Sequence, residues 1–133
     1  MNNKATGNFE VTLPTLSLHH GDAHALMGRR AIEKQFHGDL QGSSQGEMLS
    51  AGTEVKGSAA YVAIEFVTAS LHGRNGSFAL LHSGILTRGA AQLSVTVVPD
   101  SGTGELRGLS GTLAINIADG KHYYDFDYRI DPE

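Results

Sequence analysis

Glu65 and His82 each stand alone as ionisable residues on the apolar face of a strand pattern, and the two strands are consecutive. Side chains of an extended chain alternate between faces, so Tyr61, Ala63, Glu65, Val67, Ala69 and Leu71 share one side, as do Phe78, Leu80, His82, Gly84 and Leu86. A carboxyl and an imidazole are thereby expected in one nonpolar space, where either charge is costly unless paired. Such groups suit proton transfer, stabilisation of charge, or orientation of a carbonyl or hydroxyl on a bound molecule. The plainer reading is a satisfied buried ion pair, and a one-residue bulge would turn either group outward.

The elements that must position this pair are strands. Seventeen glycines and three prolines punctuate short segments rich in Val, Ile, Leu, Thr and aromatics, the pattern of an all-β barrel or sandwich. Strands are expected near Ala5–Leu13, Met27–Leu40, Glu47–Ala51, Ser58–His72, Ser77–Thr87, Ala91–Val98, Gly111–Ile117 and Lys121–Ile130, with Arg29–Gln35 also readable as a helical turn or two. A turn centred on Arg74-Asn75 would set Glu65 opposite Gly84 and Val67 opposite His82, leaving the pair diagonal at roughly 7–8 Å. Turns at Arg88-Gly89 and Asp119-Gly120 set His82 opposite Val95, Leu80 opposite Val97, and Ile117, Ile115 and Leu113 opposite His122, Tyr124 and Phe126. Many antiparallel strands hide their edges by closing, so a single antiparallel β-barrel of about eight strands is expected, its interior either filled or holding one small ligand.

Several further residues bear on that interior. Phe36, Tyr61, Phe78, Tyr124 and Tyr128 would either line a cavity or fill the core. A hairpin at Gly42–Gly46 would bring Glu47 opposite Leu40, on the face of Phe36 and Ile32, as an additional ligand contact, the plainer reading being an exposed strand end. A second apolar stripe of Val62, Ile64, Phe66, Leu81, Ile85 and Val98 falls outside. It needs covering by the N-terminal segment, a long loop or another subunit, and the expectation is a homo-oligomer, a dimer.

Composition removes other classes of function. A chain of 133 residues is read as one domain, 1–133, with residues 1–4 flexible. Its net charge of −4 and scattered basic residues provide no stripe for phosphates, so nucleic acid is not an expected partner. Cysteine is absent, which excludes disulfides, thiolate zinc sites and thiol nucleophiles. No apolar run approaches about 18 residues and no secretory signal opens the chain, pointing to a cytoplasmic protein without a membrane partner. His19-His20-Gly21-Asp22-Ala23-His24 has metal-binding residue types at a spacing that matches no defined site. Gly102-Thr103-Gly104-Glu105-Leu106-Arg107-Gly108 has neither the spacing nor the helix of a dinucleotide loop. Neither metal nor cofactor is expected.

Four segments carry a resemblance: Gln35-Phe36-His37-Gly38-Asp39-Leu40, Tyr61-Val62-Ala63-Ile64-Glu65, Leu71-His72-Gly73-Arg74 and the long run from Val97 to Gly111. Together they resemble the bacterial DUF3224 family, small proteins of unassigned function, and the resemblance implies an allene-oxide-cyclase-like β-barrel. The Thr103-Gly104-x-Leu106-x-Gly108-Leu109-x-Gly111 pattern is more distantly similar to allene oxide cyclases, dirigent proteins and spirotetronate cyclases, whose barrels steer an apolar, flexible substrate. The resemblance carries no catalytic residues to this chain. The expectation is a barrel binding a small apolar or amphipathic molecule inside. The alternatives are a cofactor-independent isomerase or cyclase using Glu65 and His82, and a non-catalytic structural or assembly module.

Overall fold

A computed structural model describes residues 2–21 and 26–132. Eight strands follow one another: β1 (Asn3–Thr12), β2 (Met27–Gly38), β3 (Leu40–Gly52), β4 (Ala59–Leu71), β5 (Arg74–Thr87), β6 (Ala90–Val97), β7 (Leu109–Ala118) and β8 (Lys121–Ile130). Each runs antiparallel beside its neighbour in sequence, and β1 pairs with β8 to close the barrel. Asn3 and Lys4, expected to be flexible, pair with Tyr128 and Asp127 in that closing ladder. No helix among the described residues is long and apolar enough to cross a membrane.

Three hairpins share one turn chemistry, a residue with positive φ followed by glycine: His72-Gly73 (+47°, +83°), Arg88-Gly89 (+47°, +91°) and Asp119-Gly120 (+52°, +76°). Positive φ at both central residues marks the type I′ turn, whose twist suits a hairpin. The last two turns give the registers expected from the sequence. The first does not lie at Arg74-Asn75. With His72-Gly73 at the tip, Glu65 stands opposite Leu80 and His82 opposite Ala63. Because the slip is even, every side chain keeps its face, and Glu65 and His82 remain diagonal neighbours.

β3 is the larger departure. Expected only from Glu47, it begins at Leu40, so Gly42-Ser43-Ser44-Gln45-Gly46 lies within a strand. β2 is strand throughout, with no helical turn.

The two ends of the barrel are built differently. At the end carrying the β2–β3 and β4–β5 turns, Phe36, Leu40, Leu71, Phe78, Tyr124 and Phe126 are fully buried and fill the interior. The β6–β7 connection folds across the start of β5: Thr103 N donates to Ser77 O at 2.8 Å, and Asn75 N donates to the Glu105 carboxylate at 3.0 Å. This plants Leu106, fully buried, as a plug. The Tyr124 hydroxyl ties down the β2–β3 turn from inside, 2.8 Å from Leu40 N and 2.9 Å from His37 O.

At the opposite end the wall loosens. β6 and β7 pair only at Thr96 and Thr112. Beyond that pair the strands diverge, leaving a seam flanked by Leu93, 59% exposed, and Ile117, 69% exposed, although both have the parity of interior residues.

Outside, Ala60, Val62, Ile64, Phe66, Thr68 and Ser70 on β4, with Ser77, Ala79, Leu81, Ser83, Ile85 and Thr87 on β5, include no charged residue. Val62, Ile64, Phe66, Leu81 and Ile85 are exposed. The N-terminal segment does not cover this stripe, since it forms β1 within the barrel wall.

Candidate functional site

Glu65 has no solvent exposure. It stands opposite Gly46 on β3 and Leu80 on β5. A Cβ at Gly46 would lie 2.6 Å from Glu65 Cα, so glycine there permits the close approach of β3 to β4. Three side chains converge on the carboxylate. Ser44 Oγ donates to Oε2 at 2.5 Å, Lys34 Nζ donates to Oε1 at 2.9 Å, and His82 Nε2 lies 2.5 Å from Oε1.

The four residues come from β2, β3, β4 and β5 in succession. Lys34 is directly opposite Ser44, and each later step is a diagonal, so the cluster climbs the twisted wall. Lys34 is on the inward face of β2 between Ile32 and Phe36, its ammonium 4.7 Å from the Phe9 ring centroid and 5.7 Å from that of Phe36. Two aromatic faces thus help to hold a cation inside an apolar wall.

Burial pushes the Glu65 carboxyl pKa up, but the hydrogen bond from His82, the charge of Lys34 and the hydrogen bond from Ser44 outweigh it, holding the group down at about 2. Glu65 is therefore ionised near neutrality and is a poor proton acceptor. Its chemistry is positional. With Nε2–H donated to the carboxylate, a neutral His82 ring carries its acceptor on Nδ1. The Lys34 ammonium has three donors, of which Glu65 takes one.

The expected lining residues separate by height. Phe36, Phe78, Tyr124 and Tyr128 lie in the filled half, with Phe78 and Phe126 stacked at 5.9 Å and Phe36 edge-on to Tyr124 at 5.8 Å. Phe36 also forms the floor beneath Lys34. Tyr61 alone of that set stands toward the open end, its ring over Gly84: a Cβ there would fall 2.3 Å from Tyr61 Cε1. Tyr61 also edges an apolar rim groove of about 900 Å³ with Leu26, Met27, Leu49 and Val62, which does not reach Glu65 or His82.

Glu47 is not inside. With β2 and β3 joined at Asp39, it has the parity opposite to Ser44 and Gly46 and points outward, 2.7 Å from Arg29 Nη2. Among the described residues no three His, Asp or Glu side chains gather as metal ligands. His19 and His20 meet edge to face at 4.7 Å, and Asp22, Ala23 and His24 lie outside the described residues.

Sequence reading missed Lys34 and Ser44. Lys34 left a signal, a lysine alternating with Ile32 and Phe36 in a period of two. Ser44 left none, because the partner that buries its hydroxyl is 21 residues away. His122, on the inward face of β8, also enters the wall, its ring 5.1 Å from Phe9.

No curated protein matches the chain. A crystal structure of a protein of unknown function from the DUF3224 family, from Shewanella oneidensis, is similar over the whole of both chains, at 49% identity and a TM-score of 0.94. The family's own sequence profile, described as a protein of unknown function, matches residues 5–128. On both grounds the chain belongs to the DUF3224 family.

Proposed function

We propose that the protein binds a small apolar or amphipathic molecule in the open half of its barrel, with Lys34 and His82 as polar contacts and Glu65 holding both in place. The observation that carries this reading is the set of four polar side chains buried together on an otherwise apolar wall. A buried ion pair contributes little to stability compared with apolar packing of the same volume. Convergent polar groups in a mostly apolar concavity are what ligand recognition requires.

Native mass spectrometry of protein purified from its own host tests the proposal. A co-purified mass that is lost on denaturation, and is missing from a Lys34→Met/Glu65→Gln/His82→Leu variant, is expected. The same mass on both proteins would contradict it.

The Glu65–His82 hydrogen bond favours a second reading, a cofactor-independent isomerase or cyclase on the same site. There proton transfer would run through Nδ1 of His82, with Glu65 fixing the ring. His82→Gln would then abolish turnover of the co-purified molecule. Turnover that survives this change would remove the catalytic reading.

The uncharged outer faces of β4 and β5 fit a second copy of the chain, since such a surface has no charge for a charged partner to match. We propose a dimer through this face. Light scattering should give a dimer for the wild type and a monomer for Phe66→Glu, and a monomeric wild type at micromolar concentration would overturn it.

A further inference from the structure

We infer that the ligand is an anionic amphiphile, its head group, such as a carboxylate, set against Lys34 and His82 and its apolar tail running out along the β6–β7 seam. This rests on the interior-binding reading and names the chemistry of the same site.

Order of burial is the first support. Glu65 is wholly covered, whereas the side chains of Lys34 and His82 each keep 7% exposure. Of the three charged or titratable side chains, Lys34 and His82 are therefore the ones solvent still touches, and the carboxylate is sealed.

The surrounding wall is the second. Glu10, Glu33, Glu47 and Asp125 all alternate outward, so among the described strand residues the inward face of this half carries no acid besides Glu65. It does carry His122, whose ring lies against Phe9, the ring beside Lys34. A cationic head would be repelled by Lys34 and would reach no free carboxylate. An anionic head meets the Lys34 donors that Glu65 leaves unused and makes short, charge-assisted hydrogen bonds.

Geometry of the seam supplies the tail. Val95 is opposite His82 and Leu93 opposite Gly84, so β6 leads from the imidazole straight to the exposed Leu93. Across the gap, Ile115 and Ile117 face the same space. Apolar side chains with interior parity standing open to solvent fit an aliphatic chain that covers them.

Isothermal calorimetry of the full chain with decanoate, decanol and decylamine separates the claims, because the three probes differ only in the head. Decanoate is expected to bind tightest, about tenfold or more above decylamine. Decanoate no tighter than decanol would overturn the anionic assignment while leaving interior binding intact. Failure of all three to bind would overturn interior binding itself.

In Lys34→Met/Glu65→Gln, which removes the charge pair without changing bulk, decanoate should fall to the level of decanol while decanol stays within about twofold. A surviving preference for decanoate would place the charge contact elsewhere and overturn the role of Lys34. The chain has no tryptophan, so Leu93→Trp gives a single reporter on the seam. Its emission should shift to the blue with decanoate, and an unmoved spectrum would overturn the route of the tail.

Discussion

The two halves of one barrel wall follow opposite rules. In the closed half inward side chains are large and apolar, rings pack at 5.4–5.9 Å, and Leu106 seals the end. In the open half polar groups are set among the aliphatic side chains, and one side of the wall is unpaired beyond Thr96. Ile32 and Ala63 are buried there, yet they stand apart from the main core cluster, on the far side of Lys34 and Glu65. The closed half supplies the packing that makes the fold stable. That stability lets the open half keep a carboxylate, an ammonium and an imidazole where hydrocarbon would pack better.

This division can be broken from either side. Phe126→Ala should cost about 3–5 kcal/mol in chemical denaturation, as a large cavity in a well-packed core does. A loss under about 1 kcal/mol would mean that the closed half is not the source of stability. Glu65→Gln should cost a comparable amount, about 3–5 kcal/mol, because it leaves Lys34 buried without a counter-charge. Full stability in that variant would mean that solvent already reaches the ammonium.

Acid provides a milder version of the same break. The Glu65 pKa is lowered from 4.5 to about 2, so between those values the unfolded chain binds a proton that the folded chain refuses. Stability from this group is therefore complete above about pH 4.5 and is lost as pH falls through about 2, a change of about 3 kcal/mol. Urea denaturation across that range should show the decline in Phe126→Ala and not in Glu65→Gln. A decline that persists in Glu65→Gln would belong to other carboxylates.

The smallest effect is expected at the seam. Ile117→Ser should alter stability by no more than about 0.5 kcal/mol, since the side chain is already 69% exposed. Amide exchange should agree, with Ala91, Leu93, Ile115 and Ile117, whose N–H groups point into the seam while those of their chain neighbours point to β5 or β8, exchanging faster than ladder positions within β4 and β5. Slow exchange at those four amides would show that the seam is closed in solution.

These contrasts also show where the sequence was legible. Strand parity is a local property, so Glu65 and His82 could be placed on one interior face even with the wrong turn between them. The turn falls at His72-Gly73 and not at Arg74-Asn75 because His72 itself adopts positive φ, which a histidine does not advertise in the sequence. Polarity misled at β3: a Gly-Ser-Ser-Gln-Gly run resembles a loop, and only the approach of β4 explains why Gly46 and Ser44 belong in a strand. The seam was invisible for a related reason. β6 and β7 have ordinary strand patterns, and their failure to pair depends on how the whole barrel closes.

The binding proposal requires that the polar cluster contribute no net stability to the fold. Chemical denaturation of Lys34→Met/Ser44→Ala/Glu65→Leu/His82→Leu, which replaces all four polar side chains by hydrocarbon and leaves no buried hydroxyl without a partner, is the test. Stability equal to the wild type, or greater by about 1–4 kcal/mol, is expected. A loss of more than about 2 kcal/mol would contradict the claim and make the cluster part of the core.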